Sequence, residues 1–207
     1  MAESWLRSTD FIWCPGCLNI WLAATLGNIF EDLGLDQKNT WLVSGIGCAG
    51  RMANYFNCQT AHTTHGRAIP VAEGIKKASP GNDVFVVSGD GDLLSIGLSH
   101  LIHTARRNTS LKVICVNNQV YAMTGGQTAP TTPKEGKTKT SPSGVELAEI
   151  SAERVLSAFP NVFYRLVEGP QKDIFTKVVK EAFEHPGFAF VEARTNCLIH
   201  PVKGVGK

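Results

Sequence analysis

Val84-Phe85-Val86-Val87-Ser88-Gly89-Asp90-Gly91 is an apolar run that breaks off in two glycines around an acid. The run is too continuous for a strand with one wet face and suits a parallel sheet covered on both sides. Outward from it, Leu111 to Val116 repeats the pattern and runs into Asn117-Asn118, while Trp41 to Ser44 and Phe188 to Ala193 read as further short strands. Helical spacings lie between them: Asn19 to Leu33 closed by Gly34, about Ala68 to Ala78, about Leu94 to Arg106, and Lys172 to Glu184. This alternation predicts one α/β domain over residues 1–207, a doubly wound, mostly parallel sheet whose ligands bind beyond the carboxyl ends of the strands. The segment Thr124 to Gly144 is rich in glycine, proline and threonine and has almost no apolar periodicity, which predicts either a functional cover or a disordered loop.

With 20 basic and 18 acidic side chains the chain lacks the clustered basic excess of a nucleic-acid or membrane-surface protein. The one basic stretch, Lys134 to Lys139, is broken by Glu135 and Gly136 and reads as a solvated loop. No apolar run approaches the ~20 residues that span a bilayer, and Met1 to Asp10 has no apolar signal core, so a cytoplasmic protein is expected. Disulfides rarely persist in such a reducing compartment, so the six cysteines are a clue to thiolate ligation.

In a parallel sheet the turns after Val84–Ser88 and Leu111–Val116 lie at one edge, so a carboxylate from Gly89-Asp90-Gly91 and an amide oxygen from Asn117-Asn118 converge. Magnesium takes such hard oxygen ligands and fills its remaining positions with water and phosphate oxygens. Asp90, Asn118 and the backbone carbonyl of Val120 are the expected metal ligands. Glycines beside Asp90 let backbone approach a phosphate, and a helix start at about Leu94 is expected to aim its amides at the same anion. Either motif alone is more often only a turn; their pairing at two strand ends is what signals chemistry. Asp92 reads as a helix-capping or solvent-facing residue.

Trp13-Cys14-Pro15-Gly16-Cys17 is a CxxC turn. Two thiolates alone suit a redox dithiol, a zinc ribbon or half an iron–sulfur cluster. Cys48 follows the strand Trp41–Ser44 and Cys197 follows Phe188–Ala193, both at the edge that carries Asp90 and Asn118. No second close cysteine pair stands in the sequence, so single distant cysteines completing the CxxC fit a cubane better than a zinc ribbon. Cys115 lies inside an apolar strand, where a free thiol behaves as a small hydrophobe, and Cys58 has no partner at useful spacing.

Read together, these stretches resemble the thiamine-diphosphate-binding beta subunit of the 2-oxoacid:ferredoxin oxidoreductases, especially the 2-oxoglutarate type. The resemblance is carried by Trp13–Cys17, SGIGCAGR (Ser44–Arg51), HTTHGRAIP (His62–Pro70), VSGDGD (Val87–Asp92), His100–Asn108 and NNQVYAMTGGQTAPTTP (Asn117–Pro133). It implies a [4Fe–4S] cluster on Cys14, Cys17, Cys48 and Cys197. It implies thiamine diphosphate and Mg2+ contacted by Gly47, His65, Arg67, Gly89, Asp90, Gly91, Asn118, Thr124 and Gly125. It gives His65 and Arg51 roles at the reacting centre, Arg51 as a two-pronged clasp for a substrate carboxylate. The implied reaction adds thiamine to the 2-oxo carbon, releases carbon dioxide, sends electrons through the cluster to ferredoxin, and hands the acyl group to coenzyme A. It implies a heteromer, because the glutamate that activates thiamine in this family comes from the alpha subunit. Two features depart from the family: Leu18 replaces a usual glycine, and the sequence ends at Lys207, shorter than its relatives, with Gly144 to Gly169 matching them poorly.

Two other readings compete. Gly45-Ile46-Gly47-Cys48-Ala49-Gly50 spells GxGxxG after a strand, the mark of an NAD-binding dehydrogenase, but Glu73, the candidate ribose acid, sits in a helical stretch. A non-catalytic iron–sulfur electron carrier would keep the cysteines, yet it has no use for the GDG and NN blocks.

Overall fold

The computed structural model describes residues 4–204. The expectations for Met1 and for Lys207 at the ends of the domain lie outside the described residues. In chain order the elements are α1 (Leu18–Asp32), β1 (Thr40–Ser44), β2 (Gln59–His62), α2 (Ala68–Ala78), β3 (Asp83–Gly89), α3 (Leu98–Arg107), β4 (Lys112–Asn117) and a short hairpin of β5 (Val120–Tyr121) and β6 (Gln127–Thr128). They continue with α4 (Ala152–Leu156), β7 (Phe163–Glu168), α5 (Lys172–Glu184) and β8 (Ala189–Arg194).

Six strands form one sheet in the order β2-β1-β3-β4-β8-β7, every pairing parallel. The side chains of β3 alternate between faces. Phe85 and Val87 enter a core under α1 and α5, whereas Val84 and Val86 enter a second core under α2, α3 and α4. Both faces are therefore dry, which is why β3 and β4 read as unbroken apolar runs. Burying each large side chain of these strands contributes roughly 1.5–3 kcal/mol. The edge strands β2 and β7 are half exposed and correspondingly polar.

Chain direction across the sheet reverses between β1 and β3, since β2 lies on one side of β1 and β3 on the other. Such a switch point opens a crevice beyond the carboxyl ends of the two strands. Gly89 pairs with Val116 and Asn117 with Arg194, so the ends of β3, β4 and β8 stand beside that crevice.

The expected helix at about Leu94 is corrected here. Asp92–Ile96 is a π-helical turn, Gly97 N–H donates to Asp92 O at 3.0 Å, and α3 begins only at Leu98. The wide turn accommodates Asp92, whose side chain is drawn inward instead of capping a helix.

Candidate functional site

A cavity of about 350 Å³ opens at the switch point. Its wall brings together the four cysteines singled out above, Cys14, Cys17, Cys48 and Cys197, with Asp90, Asn118 and Val120. Gly47, Arg51, His65, Gly89, Gly91 and Thr124 also line it. Arg67 and Gly125 do not: Arg67 is exposed at the start of α2, and Gly125 lies behind the wall, where a Cβ would stand 3.4 Å from Lys139 Nζ.

The cysteine corner is stitched from three parts of the chain. Cys17 N–H donates to Cys14 O at 2.9 Å, and Gly16, at φ 80°, closes the turn. The Trp13 indole N–H donates to the Cys48 carbonyl at 2.7 Å, tying the CxxC segment to the loop after β1. His200 N–H donates to Cys197 Sγ at 3.3 Å, and a Cβ on Gly16 would touch Leu198 at 3.4 Å, so the segment after β8 folds against the same turn. Burial first, and then the neighbouring cysteines, push the Cys17 and Cys48 thiols up. At Cys17 and Cys48, burial and the nearby sulfurs thus both disfavour the thiolate. Among the described residues no three His, Cys, Asp or Glu side chains converge tightly enough to grip one metal ion.

At the other side of the cavity Asp90 is 2% exposed. Its Oδ2 accepts from the Thr131 hydroxyl, and the amides of Asn118 and Gly91 face it, yet burial dominates and raises the carboxyl to about 6. The opposing turn is held just as closely. Asn118 Oδ1 accepts from Val120 N–H and Asn117 Oδ1 from Gln119 N–H, each at 3.1 Å, while Asn117 Nδ2 donates to buried Glu192 at 2.8 Å. Asp90, Asn118 and Val120 thus line the same cavity, residues with hard oxygens that could hold magnesium with a diphosphate.

Asp92 is the residue that sequence reasoning misjudged. It is 2% exposed rather than solvent-facing, and it accepts from Ile46 N–H at 3.1 Å, Gly66 N–H at 2.8 Å and Ser88 Oγ at 2.9 Å. His65 Nδ1 stands 3.2 Å from Asp92 Oδ1 without hydrogen-bond geometry. One acid therefore ties the loop after β1 and the turn before α2 to the end of β3. The GDGD spacing was the only signal for it, because its backbone donors, Ile46 and Gly66, are distant in sequence.

Gly45 and Gly50 of GIGCAG have packing roles: a Cβ on Gly50 would lie 2.2 Å from Gly45 O, and the helical turn Ala49–Tyr55 is 3-10. Glu73 is buried on α2 and engaged by Arg107, Thr104 and Thr109. Cys115 is wholly buried in β4, and Cys58 lies outside the cavity wall.

The sequence pattern of the thiamine pyrophosphate enzymes' C-terminal TPP binding domain matches residues 38–193. A 2-oxoglutarate synthase subunit KorB of Archaeoglobus fulgidus is 45% identical over 191 residues, which is 91% of this chain and 70% of that protein. The chain belongs to the 2-oxoacid:ferredoxin oxidoreductase beta-subunit family. Another member, 2-oxoacid:ferredoxin oxidoreductase 2, subunit beta, of Aeropyrum pernix, is 37% identical over 204 residues, 95% of this chain and 65% of its own length. The chain thus spans about two thirds of the length of these beta subunits. The 2-oxoglutarate:ferredoxin oxidoreductase from Magnetococcus marinus, solved with 2-oxoglutarate, coenzyme A and succinyl-CoA bound, superposes with a TM-score of 0.88 at 29% identity, covering 96% of this chain and 72% of that one. The doubly wound parallel sheet expected from the alternating elements, and the thiamine-binding beta-subunit fold that the resemblance implies, are therefore the ones found. The thiamine match contains Cys48, Asp90 and Asn118 but stops short of Cys14, Cys17 and Cys197. Those three cysteines lie outside the thiamine-binding region as matched.

Proposed function

We propose that this beta subunit carries the cofactors of a heteromeric oxidoreductase that decarboxylates 2-oxoglutarate, forms succinyl-CoA and reduces ferredoxin. One observation carries the reading: four cysteines line a single cavity with Asp90, Asn118 and Val120. Asp90, Asn118 and Val120 would hold Mg2+ with thiamine diphosphate, and the four thiols would hold a [4Fe–4S] cluster. When bound, thiamine supplies the nucleophilic carbon and electron sink, and the cluster takes electrons singly.

The chain's own residues bind and orient. Asp90 and Asn118 anchor the cation, Asp92 fixes the turns of Ile46 and Gly66, and Arg51 faces the cavity with a guanidinium suited to a substrate carboxylate. His65, beside Asp92, is the cavity imidazole able to move a proton near the substrate.

A partner completes the site. Asp90 and Asp92 are the acids on the cavity wall among the described residues, and both are engaged, so the carboxylate that activates thiamine comes from another subunit. The cavity mouth is rimmed by exposed Ile12, Met123, Leu198 and Ile199, an apolar border suited to a permanent interface.

Co-expression with the partner subunit under anaerobic conditions tests this. The complex should be brown, bind thiamine diphosphate and reduce ferredoxin with coenzyme A and 2-oxoglutarate. Better turnover of pyruvate overturns the substrate; full turnover by the 207-residue chain alone overturns the shared site.

A further inference from the structure

Thr131 and Thr132 are 2% and 1% exposed in the otherwise polar segment that follows β6. The Thr131 hydroxyl donates to Asp90 Oδ2. The Thr132 hydroxyl donates to the Gln119 carbonyl at 2.6 Å and accepts from Ala129 N–H at 2.9 Å. Gln119 stands between Asn118 and Val120 and has a φ of 63°. A non-glycine residue keeps that left-handed conformation only where its surroundings impose it. Adjacent hydroxyls therefore reach the two arms of the oxygen site, one through its carboxylate and the other through the turn that presents the amide and carbonyl.

We infer that Thr131 and Thr132 are positioning residues for the cation site, and that the seating of segment 127–133 and cation binding are coupled through them. The inference rests on the proposed magnesium site. Hydrogen bonds to ligands, once removed, typically cost ~10–100-fold in metal affinity. Coupling of this kind is reciprocal: whatever factor the seated segment adds to cation affinity, the bound cation adds to the seating of the segment.

The test uses the co-expressed complex, titrated with thiamine diphosphate at graded Mg2+ and followed by calorimetry and by hydrogen exchange of the 127–133 amides. Mg2+ with thiamine diphosphate should slow exchange in the unaltered protein. Thr131→Val, which keeps the shape and loses the hydroxyl, should weaken Mg2+-dependent binding about tenfold or more, and Thr131→Ser should restore most of it. Thr132→Val and Thr132→Ser form the parallel pair on the other arm and carry the test by themselves if Thr131→Val does not fold. Valine variants that bind like the unaltered protein, or serine variants as weak as the valine ones, overturn the inference. Thiamine diphosphate binding by the unaltered protein that ignores Mg2+ overturns the magnesium reading instead, which keeps the two failures apart.

Discussion

A Cβ on Gly45 would lie 2.1 Å from Asp92 Oδ2, so the Asp92 carboxylate fills the space that any other residue at position 45 would claim. Gly45→Ala must push apart the acid that holds Ile46 and Gly66. Overpacking of this kind costs about 1–3 kcal/mol. The expected outcome is a lower melting temperature together with weaker thiamine diphosphate binding; a variant that melts and binds as the unaltered protein does would count against this account of Asp92.

Asp90→Ala removes the carboxylate arm of the oxygen site while relieving a buried acid of its desolvation. Apo stability should therefore hold, and thiamine diphosphate affinity should fall by more than the ~10–100-fold typical of changes around a metal's ligands. Calorimetry beside a thermal melt checks both halves. Unchanged cofactor binding would remove Asp90 from the cation site.

Cys197→Ser should strip most of the brown absorbance and iron from anaerobically prepared protein, which with four thiolates on a cubane should hold about four irons per chain. Cys115→Ser is the control, since that thiol is sealed inside β4 with its titration pushed well up by burial. Equal iron in both variants would refute the ligand set.

Glu73 supports the fold at a distance from the site. Hydrogen bonds from Arg107, and then from Thr109 and Thr104, outweigh burial and hold its carboxyl down at about 2, against an ordinary 4.5. A depressed folded value means stability that is complete above about 4.5 and is lost as pH falls toward about 2. Glu73→Gln should cost on the order of 2 kcal/mol at pH 7 and flatten that acid limb in melts taken from pH 5 to 2.5. An acid limb of undiminished slope would show that other carboxylates cause it.

The central strands were legible because both faces of β3 and β4 are dry, so each residue had to be apolar. The edge strands β2, Gln59–His62, and β7, Phe163–Glu168, were not, because half-exposed strands carry polar residues that look like loop. Cys48, Cys197, Asp90 and Asn118 were legible as residues of one cavity from their places just past strand ends, and Cys14 and Cys17 from their CxxC spacing. Asp92, Thr131 and Thr132 were not, since each takes at least one partner 13 to 46 positions away. The helix expected from about Leu94 is found from Leu98, with Leu94 itself inside the π-helical turn that precedes it.

The Trp13 indole, bonded to the Cys48 carbonyl and only 7% exposed, also places a fluorophore where the CxxC segment meets the loop after β1. Its emission depends on whether those two stretches are docked, and an iron–sulfur chromophore alongside would quench it. Assembly of this corner can therefore be followed by light from the protein itself, with Trp13→Phe separating that signal from the other three tryptophans.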